Sequence, residues 1–153
     1  MAAMRRFQLR WILPLLAAAL AGALGASRPL AASPPTYRLI VNPKNDATGV
    51  DRRFVADAFL KKITRWPDGE SVHPVDLSAE SLARARFSEE VIRRSVPAVK
   101  SYWQQLVFSG RDVPPPELDR DEDVIAYVLR FPGGIGYVSG AADVDRVKVV
   151  TIK

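Results

Sequence analysis

The chain of 153 residues has no cysteine. Disulfides, a lipid anchor on cysteine, thiol catalysis and cysteine-type zinc sites are therefore excluded. It has a single histidine, His73. One histidine beside Pro74, without a cysteine to help it, makes a poor metal site, so neither a metal nor a cofactor is expected. The sequence also lacks a Ser-His-Asp motif, a nucleophile elbow and a paired-carboxylate signature, which points away from an enzyme. There is no internal repeat. The one apolar run, Trp11 to Leu24, is short for a membrane span.

That run belongs to an export signal. Arg5, Arg6 and Arg10 form a positive start, the apolar run rich in Ala and Leu follows, and small residues come next. The signal is read over residues 1–32, with cleavage after Ala26 or after Ala32. Pro14 and the shortness of the run disfavour a retained anchor, so no stable span is expected after cleavage. The signal also changes the meaning of charge. The formal net charge is +5, and losing Arg5, Arg6 and Arg10 brings it to +2; losing Arg28 as well leaves +1. The excess of positive charge gives no warrant for a nucleic-acid partner. About 120 residues remain, enough for one domain with a modest core.

Residues 33–36 read as a short linker and residues 37–153 as the domain. Tyr37 to Val41 predicts a strand, closed by the turn residues Asn42 to Asp46. Asp51 to Ile63 predicts a helix capped by Asp51, with Phe54, Val55, Ala58, Phe59 and Ile63 on one face. Trp66 to Gly69 is a turn. Val72 to Leu77 predicts a strand, and Pro74 puts it at an edge or makes it irregular. Ser78 is read as the cap of a helix from Ala79 to Arg94, with Leu82, Phe87, Val91 and Ile92 as its apolar positions. Ser95 caps the next helix, with Pro97 in its first turn and Val96, Val99, Trp103, Leu106 and Val107 facing inward. Ser109 to Pro116 is a loop.

Asp119 and Glu122 have capping-box spacing for a helix ending near Phe131, with Asp121, Glu122 and Asp123 as its acidic first turn and Val124, Ile125, Val128 and Leu129 as its buried stripe. Ile135 to Val138 is a third strand. Arg146 to Ile152 is a fourth, with Val147, Val149 and Thr151 alternating against Lys148 and Val150. This order predicts a single three-layer α/β/α domain with a small mixed sheet.

Two segments can present donors to an anion. Lys44 and Thr48 lie in the polar loop before the first helix, where a helix start favours negative charge. The plain alternative is a polar turn. Ser78, Ser81, Arg84 and Arg86 gather at another helix start. There the plain alternative is a capped helix with a solvated basic face. Gly133-Gly134-x-Gly136 follows a helix and precedes a strand, so it is no dinucleotide fingerprint.

Two short motifs carry a resemblance. One is Phe59-Leu60-Lys61-Lys62-Ile63-Thr64-Arg65-Trp66; the other, about seventy residues later, is Pro132-Gly133-Gly134-Ile135-Gly136-Tyr137-Val138. Together they resemble the phosphate-binding subunits of bacterial ABC importers, of the type 2 periplasmic binding protein fold. The family reads approximately Phe-Leu-Gly-Lys-Ile-Thr-x-Trp and Pro-Gly-Ala-Ile-Gly-Tyr-Val, so Lys61 stands for Gly and Gly134 for Ala. Leu39 to Pro43 is similar to the family's entry strand. The resemblance covers residues 37 to 140.

It implies one lobe, the second, of a two-lobed clamp. It also implies a periplasmic solute-binding protein with phosphate or a similar oxyanion as ligand and an ABC permease or other envelope protein as partner. The family's phosphate-gripping Ser-Gly-Thr aligns with Ser81-Leu82-Ala83, so only Ser81 is kept, and Leu77 falls where the family has Arg. The ligand set expected from these readings is Ser81, Ser78, Arg84, Lys44 and Thr48. The competing expectation is a periplasmic interaction protein derived from such a lobe, with its ligand lost.

Overall fold

The computed structural model describes residues 35–153. The export signal, and all of the linker but Pro35 and Thr36, lie outside the described residues. Two apolar strands form the centre of the domain. Strand β1 (Tyr37–Val41) pairs antiparallel with β6 (Gly134–Ser139), placing Leu39 opposite Tyr137 and Ile40 opposite Gly136. The remaining strands of this four-stranded sheet are β3 (His73–Pro74), parallel to β6, and β7 (Lys148–Val149), antiparallel to β1; the order is β3-β6-β1-β7. Both central strands are nearly continuous apolar runs because both faces of the sheet are covered. On one face Gly136 lies against Val124 and Val128. On the other Tyr137 packs on Phe59 and Phe87. This is the expected three-layer α/β/α arrangement with a mixed sheet.

Pro74 sits on the edge strand, as its missing N–H requires. Its neighbours make the bonds: His73 N–H donates to Gly133 C=O and Val75 N–H to Ile135 C=O, both 3.0 Å. One strand was expected over Val72 to Leu77, and two are formed. After Val75 the chain leaves the sheet, and β4 (Asp76–Leu77) pairs in parallel with β5 (Glu117–Leu118). A similar break divides the last expected strand. β7 ends at Val149, and β8 (Thr151–Ile152) pairs in parallel with β2 (Gly49–Val50). Val150, between them, donates to Leu39 C=O and turns inward at 4 % exposure, while Val149 is 44 % exposed. The expected alternation therefore has the wrong phase, because the strand changes partner at Val150.

Helix α1 (Arg52–Phe59) starts as expected. The Asp51 carboxylate accepts the N–H groups of Arg53 and Phe54 at 2.8 and 3.2 Å. It stops four residues before Ile63. Lys62 N–H returns to Asp57 C=O (2.8 Å) and Lys61 N–H to Ala58 C=O (3.1 Å), a Schellman closure with Lys61 at φ +51°. Lys61 thus adopts the left-handed conformation that glycine takes without steric cost. Lys61→Gly is expected to raise the unfolding free energy by about 1 kcal/mol. The partly exposed Lys61–Asp112 pair at 3.5 Å is worth only about 0.5 kcal/mol against it. A thermal melt that moved downward would show that closure to be misread.

Ser78 does not cap the second helix. Residues 78–81 form a turn closed by Ser81 N–H on Ser78 C=O (2.9 Å), and α2 (Leu82–Phe87) begins with Ser81 at the cap position. The helix widens into a π-type turn over Ser88–Ile92, ending at Arg93 with φ +60°. The wider turn brings Phe87, Ser88, Val91 and Ile92 all inward. Leu82, counted among the apolar positions, is 68 % exposed instead.

Helix α3 (Val96–Phe108) is capped by Ser95 as expected, with Val99 and Trp103 buried, but Val107 faces solvent. Helix α4 (Asp121–Arg130) has Arg120 rather than Asp119 at its cap position, and the expected capping box is not formed. The Asp121 carboxylate is turned toward β6, where it accepts the Ser139 N–H at 2.9 Å and the Ser139 hydroxyl at 2.5 Å.

Candidate functional site

The two sequence motifs meet in space, and their contact is structural. Trp66 is buried and its Nε1–H donates to Gly133 C=O at 3.0 Å. The same carbonyl accepts His73 N–H. Phe59 and Tyr137 lie 5.7 Å apart, ring to ring, and Tyr137 stacks on Phe87 at 3.9 Å. The first motif therefore closes α1 onto the start of β6, and the second supplies β6 itself.

Beside this aromatic cluster lies a buried polar network that sequence reading missed. Arg84 forms an ion pair with Asp76, and the two residues are 4 % and 3 % exposed. Tyr137 donates its hydroxyl to Asp76 at 2.9 Å and receives Leu77 N–H at 3.3 Å. Arg84 also reaches the Tyr137 oxygen at 3.4 Å and Leu77 C=O at 3.5 Å. Burial pushes the Asp76 carboxyl up from the usual carboxylate range, against the pull of Arg84 and the Tyr137 hydroxyl. Burial, reinforced by the Asp76 charge, pushes the Tyr137 phenol up as well, so it stays a neutral donor. The network grips both backbone groups of Leu77, the last residue before the β4–α2 turn. An arginine three residues before a buried Phe87, and an aspartate between Val75 and Leu77, were the available signals.

Arg84 is therefore an interior residue. It is not part of a solvated basic face, whereas Arg86 is exposed. Ser78 and Ser81 are half-buried at the β4–α2 turn, and the Ser81 hydroxyl makes no capping bond. Beside Ser81, Ala83 is 2 % exposed while Leu82 projects outward. The parallel pairing of β4 with β5 sends the start of α4 out at the same end. The segments about that end are rich in carboxylates: Glu80 follows β4, Glu117 is on β5, and Asp119, Asp121, Glu122 and Asp123 stand at the start of α4, where Arg120 lies 3.0 Å from Asp123. Glu117 bonds Ala79 N–H at 3.1 Å.

Lys44 and Thr48 are not brought to this end. They follow β1, whose last residues lie against the first residues of β6, whereas Ser78 and Ser81 lie near its end. Thr48 C=O accepts from Thr151. Asn42 is buried and its Nδ2 donates to the carbonyls of Val128, Leu129 and Phe131 at 3.0, 3.2 and 2.9 Å, closing the end of α4. His73 stacks on Phe131 at 4.3 Å, a packing role. Among the described residues no three His, Asp or Glu side chains are grouped to hold a metal ion.

No family model matches the chain, and no curated protein matches its sequence. Solved structures do match. An ABC-type phosphate transport receptor from Vibrio cholerae superposes with a TM-score of 0.58 at 18% identity, covering 76% of this chain and 46% of the receptor. A phosphate ABC transporter substrate-binding protein with bound phosphate from Clostridium perfringens gives 0.58 at 20%, covering 76% and 44%. PstS from Borrelia burgdorferi gives 0.57 at 11%, covering 77% and 47%. At these identities the likeness is one of fold. The chain spans less than half the length of each of these receptors, and its fold matches a single lobe of them.

Proposed function

We propose that the protein is an exported, non-enzymatic solute-binding lobe acting with phosphate-type ABC import in the periplasm. Its ligand is a small oxyanion, held weakly by the β4–α2 turn or jointly with a partner, such as the permease, that completes the site. The observation behind this reading is the shared single-lobe fold, with the uncapped Ser81 hydroxyl at the start of α2. Leu82 and the surrounding carboxylates weaken anion affinity there, and a lobe alone covers less of a ligand than a closed clamp.

A second reading is favoured by Leu82 itself. A leucine 68 % exposed at a helix start suits a protein contact better than a phosphate. In that reading the lobe has lost its ligand and binds another envelope protein.

Calorimetric titration of the mature protein with phosphate, and with sulfate for comparison, separates the two. Saturable phosphate heat with a component that disappears in Ser81→Ala is the expected result of the first reading. Absence of heat and of any thermal shift at millimolar phosphate would remove it and leave partner binding.

A further inference from the structure

We propose that a second anion site, which takes a phosphate group through Lys44 and Arg130, lies at the opposite end of the sheet from Ser81. The loop after β1 and the end of α4 border a solvent-open pocket of about 230 Å³ there. Its walls are Asn42, Pro43, Lys44, Leu129, Arg130 and Pro132, without a carboxylate among them. Among the described residues neither Lys44 nor Arg130 takes part in an ion pair. Two cations on facing elements, both free of a counter-charge, suit an oxyanion. Arg130 offers a planar fork for two oxygens and Lys44 a point charge for a third.

The usual objection to an anion at a helix C-terminus is its row of unpaired carbonyls. Here Asn42 moderates it, because its Nδ2 shares its two hydrogens among the Val128, Leu129 and Phe131 carbonyls. Lys148 adds positive charge behind the loop, where its Nζ donates to Asn45 C=O at 2.9 Å. Asp46 is the loop's acidic residue and does not line the pocket. Meanwhile the β4–α2 end carries the cluster of carboxylates. The charge distribution therefore directs an anion toward Lys44 and Arg130 and away from Ser81. This inference does not depend on the β4–α2 reading.

The phosphate group can belong to free inorganic phosphate or to a phospholipid headgroup, so both probes are used on the mature protein. Lys44→Gln and Arg130→Gln change exposed side chains and leave the fold intact, as circular dichroism checks. Each is expected to weaken inorganic phosphate binding by about tenfold, the usual loss for one charged hydrogen-bond donor. Ser81→Ala should leave unchanged the component of binding that the two glutamine variants weaken. If the source is lipid, the same two variants reduce binding to phosphatidylglycerol vesicles while free phosphate gives no heat. Phosphate binding lost in Ser81→Ala but kept in both glutamine variants would overturn this site and support the β4–α2 turn. Absence of binding to both probes overturns this site, and binding unaffected by all three variants does so too.

Discussion

Asp76→Ala or Arg84→Ala is expected to lower the unfolding free energy by about 3–5 kcal/mol, because each leaves one buried charge without its partner. The loss should appear in denaturant unfolding as a lower midpoint at an unchanged slope. Removing the pair together, as Asp76→Leu with Arg84→Met, should recover most of it, since well-packed apolar residues often replace a buried pair at little cost. A single variant losing less than about 1 kcal/mol would mean that solvent reaches the pair and that its geometry is looser than described. Phosphate titration of the folded double variant adds a functional reading. A network that fixes Leu77 positions the β4–α2 turn, so the proposed function predicts that the double variant loses phosphate affinity there even when it is stable.

Gly133→Ala is expected to cost about 3 kcal/mol, in the range of severe overpacking. A Cβ built at Gly133 would overlap the Ser71 carbonyl oxygen, which is backbone and has no rotamer to change. The displacement would also loosen the Gly133 carbonyl from Trp66 and His73. Gly110→Ala is the matching control. That glycine has φ +64° and open space around its Cβ, so only the left-handed backbone cost of about 1 kcal/mol applies. Tryptophan fluorescence, from the buried Trp66 and Trp103, follows the equilibrium unfolding of both variants. Equal losses at the two positions would indicate that the close approach of Gly133 to residue 71 is not rigid.

Much of the fold was legible because it obeys local rules. Asp51 and Ser95 cap the helices they were expected to cap, and Pro74 is on an edge. The runs Leu39 to Val41 and Ile135 to Val138 became the buried central strands. The errors came where a long-range contact outweighed a local one. Asp121 gives its carboxylate to Ser139 across eighteen residues, and the capping box expected from Asp119 and Glu122 is not formed. Val150 changes strand partner, which reverses the expected phase. Lys61 stops α1 early in a conformation that its side chain does not announce.

The candidate sites were less legible for the same reason. Sequence reading grouped Arg84 with Ser78 and Ser81 as a surface set, but nothing local reveals that Asp76 and Tyr137 draw its side chain inward. Lys44 draws notice for the helix that follows it, whereas the pocket it lines is shared with Arg130, a residue far along the chain. The two recognisable motifs were informative about architecture because Trp66 and Gly133 join one another. They contain none of the groups that would name a ligand.

The short margins of the sheet have a consequence for a chain without disulfides. A long, flat outer strand is a template on which another unfolded copy can pair. Here β3 extends for two residues and includes Pro74, and β7 also extends for two residues and includes Lys148. Neither offers the run of free backbone groups from which fibrils grow. The longest apolar strands, β1 and β6, pair with each other along the full length of β1, between these short margins.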